Sequence, residues 1–406
     1  MPFEWFVALR YMRAARGQTV MILAAVSIGV SVLVFLSALI GGLQTSLIAK
    51  TLGSQPHVTL RMPREEARAL VPAGDGTAIA RVYEQRPQRL RSIDQWPTIL
   101  ADVETMAGVI AVSPSVTGAG FAVRAEAKSA IVIRGVDPDR FRAIIDVTAR
   151  LTAGRFELDG DDVVIGAKLA TELGVAVGDK LRIASSEGVD QVATIRGIFA
   201  LGNENVDATW VLTSLRQAQA LFGLPSGVTT IELKVAKVFE AERIATSLRE
   251  RTGLRADSWM TVNAELLAGL SAQSSSKAMI QFFVIVAVAL GIASVLIVSV
   301  VQKSREIGIL RAVGTPARRI LMVFLIQGGV LGVVGSILGS GLGALFSKLF
   351  EALMSDPSGA PKFPVQLDLS LFVWSTALAI GVGLLSAVIP ARRASRLDPA
   401  TAIRNV

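Results

Sequence analysis

The sequence predicts an α-helical membrane protein with four transmembrane helices in a one-plus-three arrangement. A large α+β domain, expected in the periplasm, is inserted between the first and second helices. Three observations carry this. Apolar residues make up 51% of the chain, charged residues only 18%, and mean hydropathy is +0.54, far too apolar for a soluble chain of 406 residues. Four windows, Thr19–Leu43, Ala278–Val301, Ile320–Phe346 and Leu371–Ile389, contain no Lys, Arg, Asp or Glu, and each approaches or exceeds the about 20 residues that a bilayer requires. Basic residues gather where these windows would leave the membrane on one side.

Residues 1–17 predict a cytoplasmic amphipathic N-terminal helix. Phe3, Phe6, Val7 and Met12 would face lipid and Glu4, Arg10 and Arg13 water, with Trp5 and Tyr11 at headgroup level. Residues 18–43 form transmembrane helix 1. Its apolar stretch is too long for a signal-peptide core and lacks a small-residue cleavage site, so it is expected to be an uncleaved anchor.

Residues 44–277 form the periplasmic α+β domain. With no cysteine in the chain, burial alone must hold it, and about 230 residues suffice. A helix at Asp94–Met106 precedes strands near Val109–Val116, Gly120–Arg124 and Ala130–Gly135. Further on, Thr230–Val235 predicts a strand, Phe239–Arg251 a helix and Leu254–Trp259 a strand. These two β-α-β stretches resemble the halves of a split β-α-β unit. The insertion between them carries Asp162–Gly166, a helix near Leu169–Leu173, a turn at Val177–Asp179, and strands near Leu181–Ala184 and Gln191–Phe199, which predicts a small β-rich module. Arg61–Arg91, rich in Pro, Gly, Arg and Ala, predicts a mobile loop.

The remaining segments are transmembrane helix 2 (278–301), a cytoplasmic coupling loop (302–319), transmembrane helix 3 (320–347), a short periplasmic loop (348–369), transmembrane helix 4 (370–390) and a cytoplasmic tail (391–406). Basic residues orient them. Arg10, Arg13 and Arg16 precede the first span, and Lys303, Arg305, Arg311, Arg318 and Arg319 lie between the second and third. Arg392, Arg393, Arg396 and Arg404 follow the fourth. Positively charged short loops stay inside, which predicts a multi-pass membrane protein with both termini cytoplasmic and residues 44–277 outside. The net charge of +8 is thus a topology signal. It makes anionic membrane lipid a partner of the arginines, whereas no basic patch with interleaved aromatics points to nucleic acid.

The chain offers no catalytic, cofactor-binding or metal-binding set. It has no phosphate loop: Lys50-Thr51 and Lys128-Ser129 lack the preceding glycine. No charge lies inside a span, where ion-coupled carriers place one. His57 is the lone histidine, at the start of a strand, and is expected to be structural or solvated. Asp161-Asp162 is expected to be a solvated turn. No enzyme is predicted, and any energy must come from another chain.

What remains is the loop from Lys303 to Arg319. Between Glu306 and Val313, Ile307, Leu310 and Arg311 recur at helical spacing, and Gly314-Thr315-Pro316 is a helix stop. The apolar side could dock into a groove of a cytosolic partner, with Arg305, Glu306 and Arg311 as rim charges. A plain interfacial hairpin is the alternative. In the third span Gly328, Gly332, Gly335, Gly339 and Gly343 make overlapping small-xxx-small spacings, which suit dimerisation or intramolecular packing. Phe35, Leu39, Phe282 and Phe283 are candidates for a lipid-accessible groove.

Arg305-Glu306-Ile307-Gly308-Ile309-Leu310-Arg311-Ala312-Val313-Gly314 resembles the cytoplasmic coupling segment of the MacB/FtsX/LolC–LolE superfamily of ABC-transporter permeases. Ile326-Gln327-Gly328-Gly329 is similar to the start of that family's third helix, and Pro390–Arg404 to its C-terminal signature. Ala8–Arg13, Leu52-Gly53 and Pro56-His57-Val58 resemble the lipoprotein-releasing LolC/LolE branch, although Ile40-Gly41-Gly42-Leu43 departs from its first span.

The resemblance implies a permease that pairs with a second copy or paralogue and with a cytoplasmic ABC ATPase, which uses the ATP. Arg305, Glu306, Ile307, Leu310, Arg311 and Gly314 would couple to that ATPase, while this chain needs no cofactor. It also implies movement of the periplasmic domains, releasing or exporting lipoprotein or other amphiphilic cargo from the outer leaflet. MacB-like efflux with a periplasmic adaptor, and FtsX-like signalling to a cell-wall hydrolase, are the alternatives.

Overall fold

The structure, a computed structural model, describes residues 3–63, 90–354 and 365–396. Most of the loop expected at Arg61–Arg91, residues 355–364 of the short loop between the third and fourth spans, and the signature beyond Arg396 lie outside the described residues. In chain order the helices are α1 (Phe3–Ala14), α2 (Arg16–Gly53), α3 (Trp96–Glu104), α4 (Pro138–Ile144), α5 (Ala167–Leu173), α6 (Glu204–Thr209), α7 (Leu215–Leu221), α8 (Ala241–Thr252), α9 (Trp259–Val262), α10 (Ala264–Gln302), α11 (Ser304–Ala312), α12 (Ala317–Leu353) and α13 (Leu369–Ser395). The strands are β1 (Val58–Arg61), β2 (Val109–Arg124), β3 (Ala127–Val136), β4 (Leu151–Gly154), β5 (Asp162–Gly166), β6 (Lys180–Ser185), β7 (Asp190–Phe199), β8 (Trp210–Ser214), β9 (Thr230–Val235) and β10 (Arg255–Ser258). Two compact units result: Met1–Leu47 with Ala268–Val406, and Ile48–Leu267.

Among the described residues four helices, α2, α10, α12 and α13, are long and apolar enough to cross a membrane. The first two outrun their apolar windows. At 38 and 39 residues they extend nearly 60 Å at about 1.5 Å per residue, twice the hydrocarbon thickness. Segments 44–53 and 264–277, assigned in the sequence to the inserted domain, continue these spans as polar helix. Gln44 and Lys50 in one, and Glu265, Gln273 and Lys277 in the other, tolerate a helix well, and no proline intervenes before Pro56. Gln44 Nε2 donates to Ser274 Oγ at 2.9 Å and holds the two extensions together.

The membrane unit packs through Ile22, Val26, Val30 and Val34 of α2, Ile292 and Leu296 of α10, Leu331 of α12, and Ala379 and Ala387 of α13. Polar clips add to this: Gln18 to Gln302 at 2.8 Å and Gln281 to Ser37 at 2.8 Å. Gln281 and Ser37 lie inside the apolar windows, where little water competes for the bond, whereas Gln18 and Gln302 meet just outside them. Helix α1 lies against α12, with Val7, Ala8 and Tyr11 buried on Val323. This corrects the expected interfacial disposition of Val7 and Tyr11. They form an i, i+4 stripe that finds an apolar partner within the chain, leaving Phe3, Trp5 and Phe6 exposed.

In the inserted unit, β10-β1-β9-β2 are neighbours, all antiparallel. Each β-α-β half therefore has its two strands separated by one from the other half, and α3 and α8 supply Leu100, Val103, Ile244 and Leu248 to the core. Strand β2 is one strand of 16 residues, not the two expected. Gly118 and Gly120 suggest a break in the sequence, but here they admit close neighbours: a Cβ on Gly120 would lie 2.6 Å from the Ala184 carbonyl. Its first half pairs with β9, its second with β3 and β6. The pairings β2–β3–β8–β5–β7–β6–β2 close a six-stranded circuit, with β4 added on β7; the segment expected as a separate β-rich module supplies β5, β6 and β7 and closes on β2 and, through β8, on β3 of the first half.

The pair Asp161-Asp162 is not simply a solvated turn, for Asp162 opens β5 and binds Arg196 at 2.8 Å. His57 is buried, its Nδ1 3.1 Å from the Val235 amide nitrogen, and burial holds its pKa below the usual value. It is a structural residue. Arg134 and Glu232 form a buried ion pair, with the Arg134 guanidinium 4.0 Å from the Trp210 ring.

Candidate coupling site

Helix α11 is short because its sequence stops it at both ends. Lys303 leaves the helical region, and Gly314 adopts φ +99°, a conformation that favours glycine. The Thr315 amide then returns to Leu310 O at 3.0 Å, and Pro316 opens α12. Glu306 in the first turn and Arg311 in the last suit the helix dipole.

Ile307 is fully buried. It meets Val300 of α10, Ile320 and Phe324 of α12, and Ala391 and Ala394 of α13, with Leu310 half-buried beside them. Arg311 donates to the Ser395 carbonyl at the end of α13. One nine-residue helix is thereby tied to the ends of three membrane helices. Lys303 pairs with Glu306 at 2.5 Å and lies 5.7 Å from the Tyr11 ring centre. Burial, and secondarily the Glu306 charge, push the Tyr11 hydroxyl up to about 12. Glu4 of α1 approaches Arg319 at 3.5 Å, linking α1 to the same end.

The outward side is Arg305, Glu306, Ile309 and Val313, the last 83% exposed. The sequence reading offered Ile307 and Leu310 as the docking face. Here Ile307 is an anchor turned inward, and the apolar residues available to a partner are Ile309 and Val313. Both pairs have helical spacing, so periodicity presents two stripes; only the packing of α10, α12 and α13 decides which one is inside.

The five glycines of α12 at small-xxx-small spacing are brought onto two neighbours of the same chain. Gly328 and Gly332 face α13, where a Cβ on Gly332 would lie 2.7 Å from Ala379 O. Gly335, Gly339 and Gly343 face α2, where a Cβ on Gly339 would lie 2.6 Å from Ser27 O. This is intramolecular packing. Of the four groove candidates, Phe35 packs edge-on against Phe350 at 5.9 Å, while Phe282 and Phe283 stack edge-on at 5.6 Å and are exposed on α10.

Two family models match. One, described as MacB-like periplasmic core domain, covers residues 19–251 and the other, FtsX-like permease C-terminal, covers 278–399. The lipoprotein-releasing system transmembrane protein LolC of Neisseria meningitidis serogroup B is 23% identical over 435 residues, 99% of each chain. LolC of Haemophilus influenzae is 24% identical over 422 residues, also 99% of each. The macrolide export ATP-binding/permease protein MacB of Bdellovibrio bacteriovorus is 24% identical over 411 residues, 92% of this chain and 58% of that protein. Among solved structures, the extracellular domain of the noncanonical ABC-type transporter YknZ from Gram-positive bacteria aligns over 50% of this chain and 99% of its own, at 13% identity and a TM-score of 0.33. The chain belongs to the MacB/FtsX/LolC superfamily of ABC-transporter permeases, on its LolC-like side.

Proposed function

We propose that α11 is the seat of a separate cytoplasmic ABC ATPase and that the cargo is a lipoprotein or a similarly lipid-anchored amphiphile in the outer leaflet. In this reading both termini and α11 are cytoplasmic, the inserted unit lies outside, and a second permease copy or paralogue completes the transporter. The observation that carries it is the mechanical position of α11. Ile307 fixes the helix to the ends of α10, α12 and α13, while Ile309 and Val313 stay free for a partner. Force applied to α11 is delivered to three packed helices at once, because close-packed interiors transmit displacement instead of absorbing it. The polar extensions of α2 and α10 would carry it beyond the apolar windows. Cargo that never crosses the bilayer core needs no charged path through the spans, and their apolar windows contain none.

The test is purification of the full chain from its native membranes in mild detergent, identifying what accompanies it. An ATPase with a second permease and lipoproteins supports the proposal. An ATPase with a periplasmic adaptor would move the assignment to efflux, and one with a wall hydrolase to signalling. Absence of an ATPase, in a preparation that retains other complexes, would overturn the coupling assignment.

A further inference from the structure

A groove of about 530 Å³ lies at the basic end of the membrane unit, between α10, the start of α11 and the end of α13. Its floor is Ile297, Val300, Val301 and Pro390, and its rim carries Ser304, Arg393 and Arg396. Among the described residues no Asp or Glu lines it. Arg393 and Arg396 are exposed, and neither is in an ion pair among the described residues. Arg393 lies in the last turn of α13 and Arg396 is the residue that ends it, and both line the same groove. Apolar floor and doubly cationic rim meet where hydrocarbon gives way to headgroups, since Ile297 to Val301 close the second apolar window and Ser304 follows it.

We infer that this groove binds one anionic phospholipid, an acyl chain lying on Ile297, Val300 and Val301 and the headgroup phosphate held by Arg393 and Arg396. The argument is complementarity at both ends of one molecule. A soluble anion would leave the apolar floor wet, and a neutral lipid would leave two cations without a counter-charge. The Ser304 hydroxyl at the rim supplies a further donor for a phosphate oxygen. Because Ser304 is the first residue of α11, and Val300 also packs on Ile307, the lipid would brace the coupling helix from its far side. This last consequence rests on the proposed function; the binding itself does not.

The test uses the full chain, delipidated in detergent and titrated with phosphatidylglycerol or phosphatidylcholine, with bound lipid counted by native mass spectrometry. One saturable phosphatidylglycerol is expected, with phosphatidylcholine much weaker. Arg393→Gln/Arg396→Gln should lower affinity about 30-fold, at about fivefold per basic residue. Val301→Trp keeps every charge but fills the floor, and should lower affinity also. Arg10→Gln/Arg318→Gln removes equal charge outside the groove and should change little. Equal weakening by both arginine pairs, or no effect of Val301→Trp, would show diffuse adsorption and overturn the site. Equal binding of both lipids would overturn its anionic specificity. In detergent the measurement is blind to membrane orientation and to any ATPase, so failure of the proposed function leaves its outcome readable.

Discussion

Ile307 and Ile309 sit two residues apart on α11, yet truncating them should damage different things. Ile307 is fully buried among Val300, Ile320, Phe324, Ala391 and Ala394. Ile307→Ala removes three carbons, about 2.4 kcal/mol at about 0.8 kcal/mol per buried methylene. The residual cavity places the total at about 2–5 kcal/mol. Ile309 is 47% exposed, so Ile309→Ala should cost the fold only about 0.5 kcal/mol or less. As an apolar anchor against a partner it would instead cost about 1–2 kcal/mol, or roughly 5–30-fold in affinity. The assay is the full chain in nanodiscs with the ABC ATPase proposed as its partner, following thermal unfolding, association, and stimulation of ATP hydrolysis. Ile307→Ala should lower the melting temperature and uncouple hydrolysis while association persists. Ile309→Ala, and more so Ile309→Asp/Val313→Asp, should weaken association at unchanged melting. If Ile307→Ala weakens association as strongly as Ile309→Ala and leaves melting unchanged, the assignment of inner and outer faces is wrong.

Further outcomes follow from the same packing. Gly328→Leu should destabilise the membrane unit by more than about 2 kcal/mol, since a Cβ there meets the Gly383 backbone and Ala387. Gly341→Ala, with open space around it, should be neutral or stabilising by up to about 1 kcal/mol; steric trapping or denaturant titration would separate the two. Because burial lowers the His57 pKa, the unfolded chain binds the proton more readily. The inserted unit should thus be most stable above about pH 6.5 and lose stability as pH falls below it, a dependence that His57→Gln should flatten in pH-resolved melts. Glu232→Ala strands Arg134 in a buried site and should cost about 3–5 kcal/mol. The chain has no cysteine, so Ser304→Cys provides a single label; reaction with an impermeant thiol reagent from the periplasmic side would reverse the proposed topology.

Much of this architecture was legible because its signals are local. Charge-free windows, the glycine spacing of α12, and the stop at Gly314-Thr315-Pro316 each follow from neighbours in the chain, and each is found as helix, packing face or turn. The β-α-β halves were legible for the same reason. Their interleaving was not, since strand order is fixed by contacts between residues such as Val58 and Leu233, far apart in sequence. Nor was the continuity of β2, where Gly118 and Gly120 carry the same letters whether they break a strand or let another backbone approach it.

The amino-acid sequence by itself determined where hydrocarbon-compatible helix must occur, and that no charge would lie in it. Desolvation decides this residue by residue, without reference to fold. It also placed a short charged helix between the second and third spans. Which side of that helix is anchor and which is surface was decided only by tertiary structure. Ile307 and Ile309 are the same residue type on opposite stripes, and burial depends on what the ends of α10, α12 and α13 bring against them. The same holds for the α12 glycines, whose spacing promises a close contact while only the fold selects α2 and α13 as the partners.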